Sequence, residues 1–302
     1  MSIHIPAYLK KGDTIAITCP AGFMALEKAQ TCIETLQRWG YTVIVGKTLG
    51  SNSQNYFSGT DEERCDELQA MMDDGSVKAI LFGRGGYGCS RIVDKLNFKK
   101  FKKYPKWLIG FSDITVFHCE LLAKHNIASL HAPMAAAFNE GENEYILSLK
   151  QALTGKKAHY KTAAHMYNQS GAASGRLVGG NLALLTHMIG TSGEPDTKGK
   201  ILFIEDIGEY LYNVDRMLYQ LKRSGKLKKL AGLVIGGFTD MKDTERPFGK
   251  NMHEILKEMV VEYDYPVCFD FPVSHDTPNV ALKIGVEYKL TVAGKTVSLK
   301  EL

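Results

Sequence analysis

Short apolar runs alternate with helix-spaced apolar positions through the first half of the chain. Thr14-Ile-Ala-Ile-Thr18 reads as a strand, whereas across residues 25–40 Ala29, Cys32, Ile33 and Leu36 recur at the spacing of one helix face. The alternation continues with a strand over 41–45, a helix over 61–74, a strand over 77–82 and a helix over 89–96. A fourth strand over 107–111 leads into a helix over 113–125. This pitch predicts an α/β fold, a doubly wound parallel sheet with helices on both faces. Ligands of such sheets sit beyond the carboxyl ends of the strands, which directs attention to loops 19–22 and 83–88 and to Ser112.

The pattern lapses across residues 154–175, where small, polar and charged residues dominate, as expected of a connection between domains. Beyond it, a helix-like stretch covers 182–189, with further helices near 213–224 and 251–263. Strands are expected over 200–205, 232–236, 267–271 and 282–290. This half carries more strands per residue, which predicts a smaller β-rich α+β domain. At 302 residues the chain exceeds the usual size of one core. The expected division is an N-terminal domain over 1–153, a linker over 154–174 and a C-terminal domain over 175–302.

Composition narrows the class. With 44% hydrophobic and 23% charged residues the chain is that of an ordered globular protein. The net charge of +4 is concentrated in Lys99, Lys100, Lys102, Lys103 and Lys106, and again in Lys226, Lys228 and Lys229. Without a recognisable nucleic-acid module these runs read as solvated faces, so no nucleic-acid partner is expected. The first residues lack the charged segment and apolar run of a secretory signal, and no stretch of about 18 apolar residues exists, so no membrane partner is expected. Six cysteines are scattered without a Cys-x-x-Cys pair, which suits a reducing cytoplasm. No His-Glu-x-x-His or comparable spacing exists, so neither a metal nor another cofactor is expected.

Candidate chemistry centres on Trp107-Leu-Ile-Gly-Phe-Ser112-Asp-Ile-Thr-Val-Phe-His118, a strand that meets a serine and passes straight into an amphipathic helix. A hydroxyl on such a turn is held clear of both elements, as a nucleophile requires. Gly110 and Ser112 match the first half of Gly-x-Ser-x-Gly, but Ile114 breaks the second; a helix cap by Ser112 or Asp113 explains the same residues. Gly83-Arg-Gly-Gly-Tyr-Gly88 formally matches a dinucleotide fingerprint. It follows the third strand rather than the first, however, and no acidic residue ends the next strand to bind a ribose. The loop also suits an oxyanion hole, with the Gly86 amide as one donor and the Asp113 amide as the other, one donor being worth roughly 3 kcal/mol of barrier. A tight turn that merely needs glycine is the plainer alternative.

A serine needs a base, and the base an orienting group. His118 and His125 follow Ser112 on its helix and are expected to point away from the turn or along its surface. His4, His159, His165 and His253 fall in a terminus, the connection or an exposed helix. His131, His187 and His275 are left, with His275 in a proline-bounded loop after a strand. Glu205, at the tip of Ile201-Leu-Phe-Ile-Glu, is a candidate orienter. Spacing alone leaves open whether these groups meet.

Taken together, Gly-Arg-Gly-Gly-Tyr-Gly (83–88), Ile-Gly-Phe-Ser-Asp-Ile-Thr (109–115), Gly-Gly-Asn-Leu (179–182), Phe-Ile-Glu-Asp (203–206) and Ser-His-Asp-Thr-Pro-Asn (274–279) occur in that order. The chain thereby resembles, nearly end to end, the LD-carboxypeptidase family of serine peptidases, which includes murein tetrapeptide carboxypeptidases and microcin C immunity hydrolases. The resemblance implies Ser112 as nucleophile, His275 as general base and Glu205 as its orienting carboxylate, with Gly86 and the Asp113 amide as oxyanion hole. The family's own pattern is Gly-x-Ser-Asp, which accounts for Ile114. It further implies a flavodoxin-like N-terminal domain, a smaller β-rich C-terminal domain, an active site drawing Ser112 from one and Glu205 and His275 from the other, and a homodimer. The implied reaction is release of the C-terminal D-alanine from cytoplasmic murein tetrapeptides through an acyl-enzyme, the small peptide being the partner. Arg84 is preferred over Arg176 as the binder of the terminal carboxylate. The alternatives are an immunity-type hydrolase of aminoacyl-adenylate mimics, disfavoured by the lack of an obvious aromatic platform after Glu205, and a non-catalytic small-molecule binding protein. A dinucleotide-dependent oxidoreductase ranks third outside the family.

Overall fold

Apolar strands sort the chain into two sheets, one in each of two units. The structure, a computed structural model, describes residues 3–302. Contacts divide it into a first unit, which runs to Lys156 and includes Val280–Lys283, and a second of Lys157–Asn279 with Ile284–Leu302.

In the first unit, β1 (Thr14–Thr18), α1 (Gln30–Arg38), β2 (Thr42–Val45), α2 (Asp61–Asp73), β3 (Val77–Phe82), α3 (Cys89–Ile92), α4 (Lys99–Lys103), β4 (Trp107–Gly110), α5 (Thr115–Glu120), β5 (Ser129–His131) and α6 (Glu144–Leu153) follow in turn. The strands are parallel and ordered β2-β1-β3-β4-β5, the flavodoxin-like arrangement. Every residue of β4 is buried, and β3 is buried except at Lys78, as expected of strands covered on both faces. A reciprocal capping box starts α2: Thr60 Oγ1 accepts from the Glu63 amide at 3.1 Å, and Glu63 Oε2 accepts from the Thr60 amide at 2.8 Å. Beyond α5 the helix widens into a π turn over Leu121–His125 and stops at Asn126, whose φ is +53°. Lys106, expected with Lys99, Lys100, Lys102 and Lys103 on a solvated basic face, is not on one. It is buried, donates to the Met71 and Asp74 carbonyls at the end of α2, and is pushed down to about 8 by that burial.

The second unit contains β6 (His159–Ala163), β7 (Gly171–Asn181), α7 (Leu182–His187), β8 (Ile201–Ile207), α8 (Leu211–Arg223), β9 (Gly232–Thr239), α9 (Met252–Val260) and β10 (Val267–Cys268). The chain then places β11 (Leu282–Ile284) at the β5 edge of the first sheet, before β12 (Glu287–Ala293) and β13 (Thr296–Glu301) complete the second. That sheet has the order β10-β9-β8-β7-β12-β13-β6. It is parallel from β7 to β10, where helices make the crossovers, and antiparallel from β7 to β6.

Two stretches also differ in their strands from what the sequence predicts. The stretch 154–174, read as a linker, contributes β6 and the start of β7 to the second sheet. Its side chains alternate only between exposed and half-buried, so it carries no apolar signal, and pairing with β13 holds it in place. The stretch 282–290, read as one strand, is broken at Gly285, whose φ is +88° and whose amide donates to the Leu177 carbonyl at 2.7 Å. Among the described residues no helix is long and apolar enough to cross a membrane.

Candidate active site

β4 delivers the chain to Ser112 in an extended conformation at Phe111, and Ser112 itself has φ of +62°. A non-glycine residue in this region costs on the order of 1–3 kcal/mol, and such positions concentrate at functional sites. The following turn, Ser112–Ile114, leads directly into α5. Gly85 packs against the serine. A Cβ there would lie 3.0 Å from Ser112 Cβ, 3.2 Å from its Oγ and 3.3 Å from the Asp113 amide nitrogen. The glycine loop therefore lies at the turn, and neighbouring Gly86 adopts φ of +103°, a conformation that favours glycine.

Two buried side chains hold this arrangement. Asp113 does not turn to α5; its Oδ2 accepts from the Cys89 amide at 2.8 Å and so ties the turn to the end of the glycine loop. Burial raises its pKa, against bonds from the Cys89 and Gly88 amides that lower it. His118 is fully buried rather than on a helix surface. Its Nε2 lies 2.9 Å from the Gly110 carbonyl, which only accepts, so Nε2 carries the proton and Nδ1 accepts from Ser129 Oγ at 2.8 Å. Burial pushes it down to about 4, and it stays neutral at physiological pH. Arg84 is exposed and donates to the Phe23 carbonyl at 3.1 Å, while Arg176, in the second unit, pairs with Glu287 at 3.5 Å.

In the second unit, Glu205 and His275 are brought together. Glu205 is completely buried in β8, and its Oε2 lies 2.5 Å from His275 Nδ1. The β8–β9 register shifts at Glu205, between the Ile204 and Asp206 pairings, with Gly236 and Gly237 opposite. Such a bulge re-aims a side chain. Both glycines are required by close approach: a Cβ on Gly236 would lie 2.2 Å from the Val273 carbonyl oxygen, and one on Gly237 would lie 2.5 Å from Ser274 Cβ. The loop leading to His275 thus lies flat on β9, where the Gly237 amide donates to the Val273 carbonyl at 2.9 Å. Ser274 fixes its far side through a single hydroxyl proton shared between the Asp276 and Pro278 carbonyls, at 2.8 and 2.9 Å. Burial would lower the His275 pKa, but the hydrogen bond and charge of Glu205, with Asp206 and Asp276, raise it overall.

Asp206 supports the pair from beside it. Its carboxylate accepts from Asn181 Nδ2 at 2.8 Å and from the Ala183 and Ile207 amides, while Asn181 Oδ1 caps α7 through the Leu184 amide. The parallel register sets Asn181 opposite Glu205, so Gly-Gly-Asn-Leu and Phe-Ile-Glu-Asp meet side by side on neighbouring strands. Burial first, then the Glu205 charge, pushes Asp206 up to about 6. Of the other histidines considered as bases, His131 is buried in β5 and His187 is exposed at the end of α7. The sequence offers the Asp113 carboxylate only as a helix cap, which its bond to the Cys89 amide replaces, and assigns nothing to His118, Asn181 or Asp206. Asp113, Asn181 and Asp206 all lie inside the ordered motifs, Asp113 beside Ser112 and Asp206 beside Glu205, and that adjacency is their signal in the sequence.

Two family models match the chain, one described as the LD-carboxypeptidase N-terminal domain, over residues 15–132, and one as the LD-carboxypeptidase C-terminal domain, over residues 174–290. The probable murein peptide carboxypeptidase of Bacillus subtilis (strain 168) is 35% identical over 300 residues, covering 98% of this chain and 94% of its own. The chain belongs to the LD-carboxypeptidase family. As a member it is a hydrolase. The crystal structure of muramoyltetrapeptide carboxypeptidase from Oxalobacter formigenes superposes with a TM-score of 0.86 at 32% identity, over 95% of this chain and 98% of the other. The Microcin C7 self-immunity protein MccF of Escherichia coli is 27% identical over 336 residues, covering 98% of this chain and 96% of its own.

Proposed function

We propose that this LD-carboxypeptidase family member removes the C-terminal D-alanine of murein tetrapeptides by a serine mechanism. The observation that carries the reading is the buried Glu205 bonded to His275 Nδ1. That bond fixes the tautomer whose Nε2 lone pair takes a proton. Ser112 Oγ attacks the carbonyl carbon before D-alanine and its proton passes to His275 Nε2. The carbon–nitrogen bond then breaks as His275 protonates the leaving amine. Water activated by His275 hydrolyses the acyl-serine and returns the enzyme. The Gly86 and Asp113 amides stabilise the oxyanion, supported by the packing of Gly85 on Ser112. Arg84 receives the terminal carboxylate, its charge and exposure supporting that role. A cytoplasmic setting is supported by six free, buried cysteines. The reading includes a homodimer, tested by light scattering of the purified chain.

The test is mass spectrometry of murein tetrapeptide incubated with wild type and with Ser112→Ala. Loss of one alanine with wild type alone is expected; cleavage that survives in Ser112→Ala would sink the serine mechanism. A second reading, hydrolysis of aminoacyl-adenylate mimics, rests on the similarity to the E. coli immunity protein. It also draws on a partly exposed pair, Tyr210 stacked on Tyr212 at 5.5 Å, just after the strand that carries Glu205. An untouched tetrapeptide together with cleavage of an aminoacyl-sulfamoyl adenylate would favour it.

A further inference from the structure

The second unit holds another cluster of chemically capable side chains, which takes no part in the reaction above. His165 lies between β6 and β7, His253 in the first turn of α9 and Asp270 just after β10. Their ligand atoms all lie within 4.8 Å of one another. His253 Nε2 is 2.8 Å from Asp270 Oδ1, His165 Nε2 is 3.8 Å from Asp270 Oδ2, and the two imidazoles stack at 4.7 Å with planes 16° apart.

We propose that His165, His253 and Asp270 form a binding site for one divalent ion of the zinc class. Two imidazole nitrogens and one carboxylate oxygen suit zinc, cobalt or nickel, whereas magnesium and calcium take oxygen ligands. Tetrahedral zinc at bonds of about 2.0–2.2 Å needs ligand atoms roughly 3.3–3.5 Å apart, each imidazole nitrogen pointing its in-plane lone pair at the ion, so the two stacked rings turn out of parallel as the cluster closes. The backbone is already held. Gln169 and Val267 exchange amide–carbonyl bonds at 3.0 and 3.1 Å, and the Phe269 amide donates to Asn168 Oδ1 at 2.8 Å, fixing the His165 loop on β10. Asn251 and Glu254 form a capping box that sets the first turn of α9. Asp270 has φ of +53°, an unfavourable conformation held at the point where its carboxylate reaches both histidines. Phe269 packs beneath both rings, and side-chain exposures of 23%, 40% and 54% for His165, His253 and Asp270 leave an outward position for a water ligand.

Binding requires a proton rearrangement at each imidazole. His165 Nδ1 accepts from the Tyr167 amide at 3.2 Å, which places that ring's proton on Nε2. With metal on Nε2 the proton sits on Nδ1 and the Tyr167 contact opens. At His253 the proton shared between Nε2 and Asp270 gives way to the ion, and the neutral ring carries its proton on Nδ1 instead. The result is a staple across three separate elements, one of which continues to His275.

The full chain, stripped with EDTA and dialysed, is titrated with zinc chloride by calorimetry, with wild type compared to His253→Ala and Asp270→Asn. One ion per chain is expected, with affinity at least about tenfold weaker in each variant. The cobalt-loaded wild type should show visible ligand-field bands without a thiolate-to-cobalt charge-transfer band. Absence of saturable zinc binding, unchanged affinity in both variants, or a thiolate band in wild type overturns the proposal. The cobalt spectrum needs no variant, and none of these readouts depends on peptidase activity.

Discussion

At the scale of single residues, the pKa of His275 links the proposed mechanism to a measurable pH profile. The Glu205 hydrogen bond and charge outweigh burial and move the imidazole above its ordinary value of 6.5. A base must be unprotonated, so kcat/KM on the tetrapeptide should rise through that displaced pKa, with the midpoint of the acid limb above 6.5. The folding linkage has the opposite sense: the pair's contribution to stability is full below 6.5 and is lost as pH rises through the raised value. Glu205→Gln removes the charge, so the limb should move down while kcat falls by on the order of 10³ to 10⁴. A limb that stays in place would reject Glu205 as the partner that sets this pKa. His118 makes a different demand, because it must stay neutral and bonded at both nitrogens. His118→Ala leaves the Gly110 carbonyl and Ser129 hydroxyl without it and opens a cavity, and should destabilise by about 2–4 kcal/mol in urea unfolding. His118→Gln, which restores a donor toward Gly110, should recover part of that loss, and equal losses would show that the hydrogen bond is not the cause.

At the scale of elements, the strand-to-helix turn and the glycine loop act as one piece, through Gly85 against Ser112 and Asp113 against Cys89. Gly85 has no positive φ, so alanine is allowed by its backbone and objectionable only because its Cβ meets the serine. Gly85→Ala should keep the fold, checked by Tm, while lowering kcat/KM on the tetrapeptide by about 10²-fold, as small misplacements of a reacting group do. Full activity in that variant would remove the loop from the site. Buried elements such as β3 and β4 were legible in the sequence because strands covered on both faces read as continuous apolar runs. β6 was not, because His159-Tyr-Lys-Thr-Ala offers no buried face and owes its conformation to β13, far along the chain. The break between β11 and β12 was hidden for the converse reason. Both are apolar enough to read as one run, and only the positive φ of Gly285 separates them.

At the scale of the whole molecule, the sequence presents the candidate site residues as ordered motifs but carries nothing of their geometry. Asn181 and Glu205 are distant in sequence, and the parallel register of β7 and β8 makes them neighbours. The same limit hid the chain's return to its first unit. Residues 280–283 leave the second unit, and β11 supplies the strand beside β5. They are anchored there by polar contacts as well as by the sheet. The Ala281 amide donates to Ser148 Oγ at 2.9 Å, and buried Lys283 donates to the Lys156 carbonyl at 3.3 Å with its ammonium 4.9 Å from the centre of the Tyr8 ring. A fragment of residues 1–156 therefore lacks an edge strand, uncovers the amides and carbonyls of β5, and loses the donors to Ser148 Oγ and the Lys156 carbonyl near its C-terminus. Exposed strand edges recruit other chains. The fragment should aggregate, or else exchange its β5 amides quickly in deuterium exchange, whereas the same fragment fused through a flexible linker to residues 280–284 should be soluble and protected at Ser129–His131. Equal protection in the two fragments would show that the first unit folds without its returning segment.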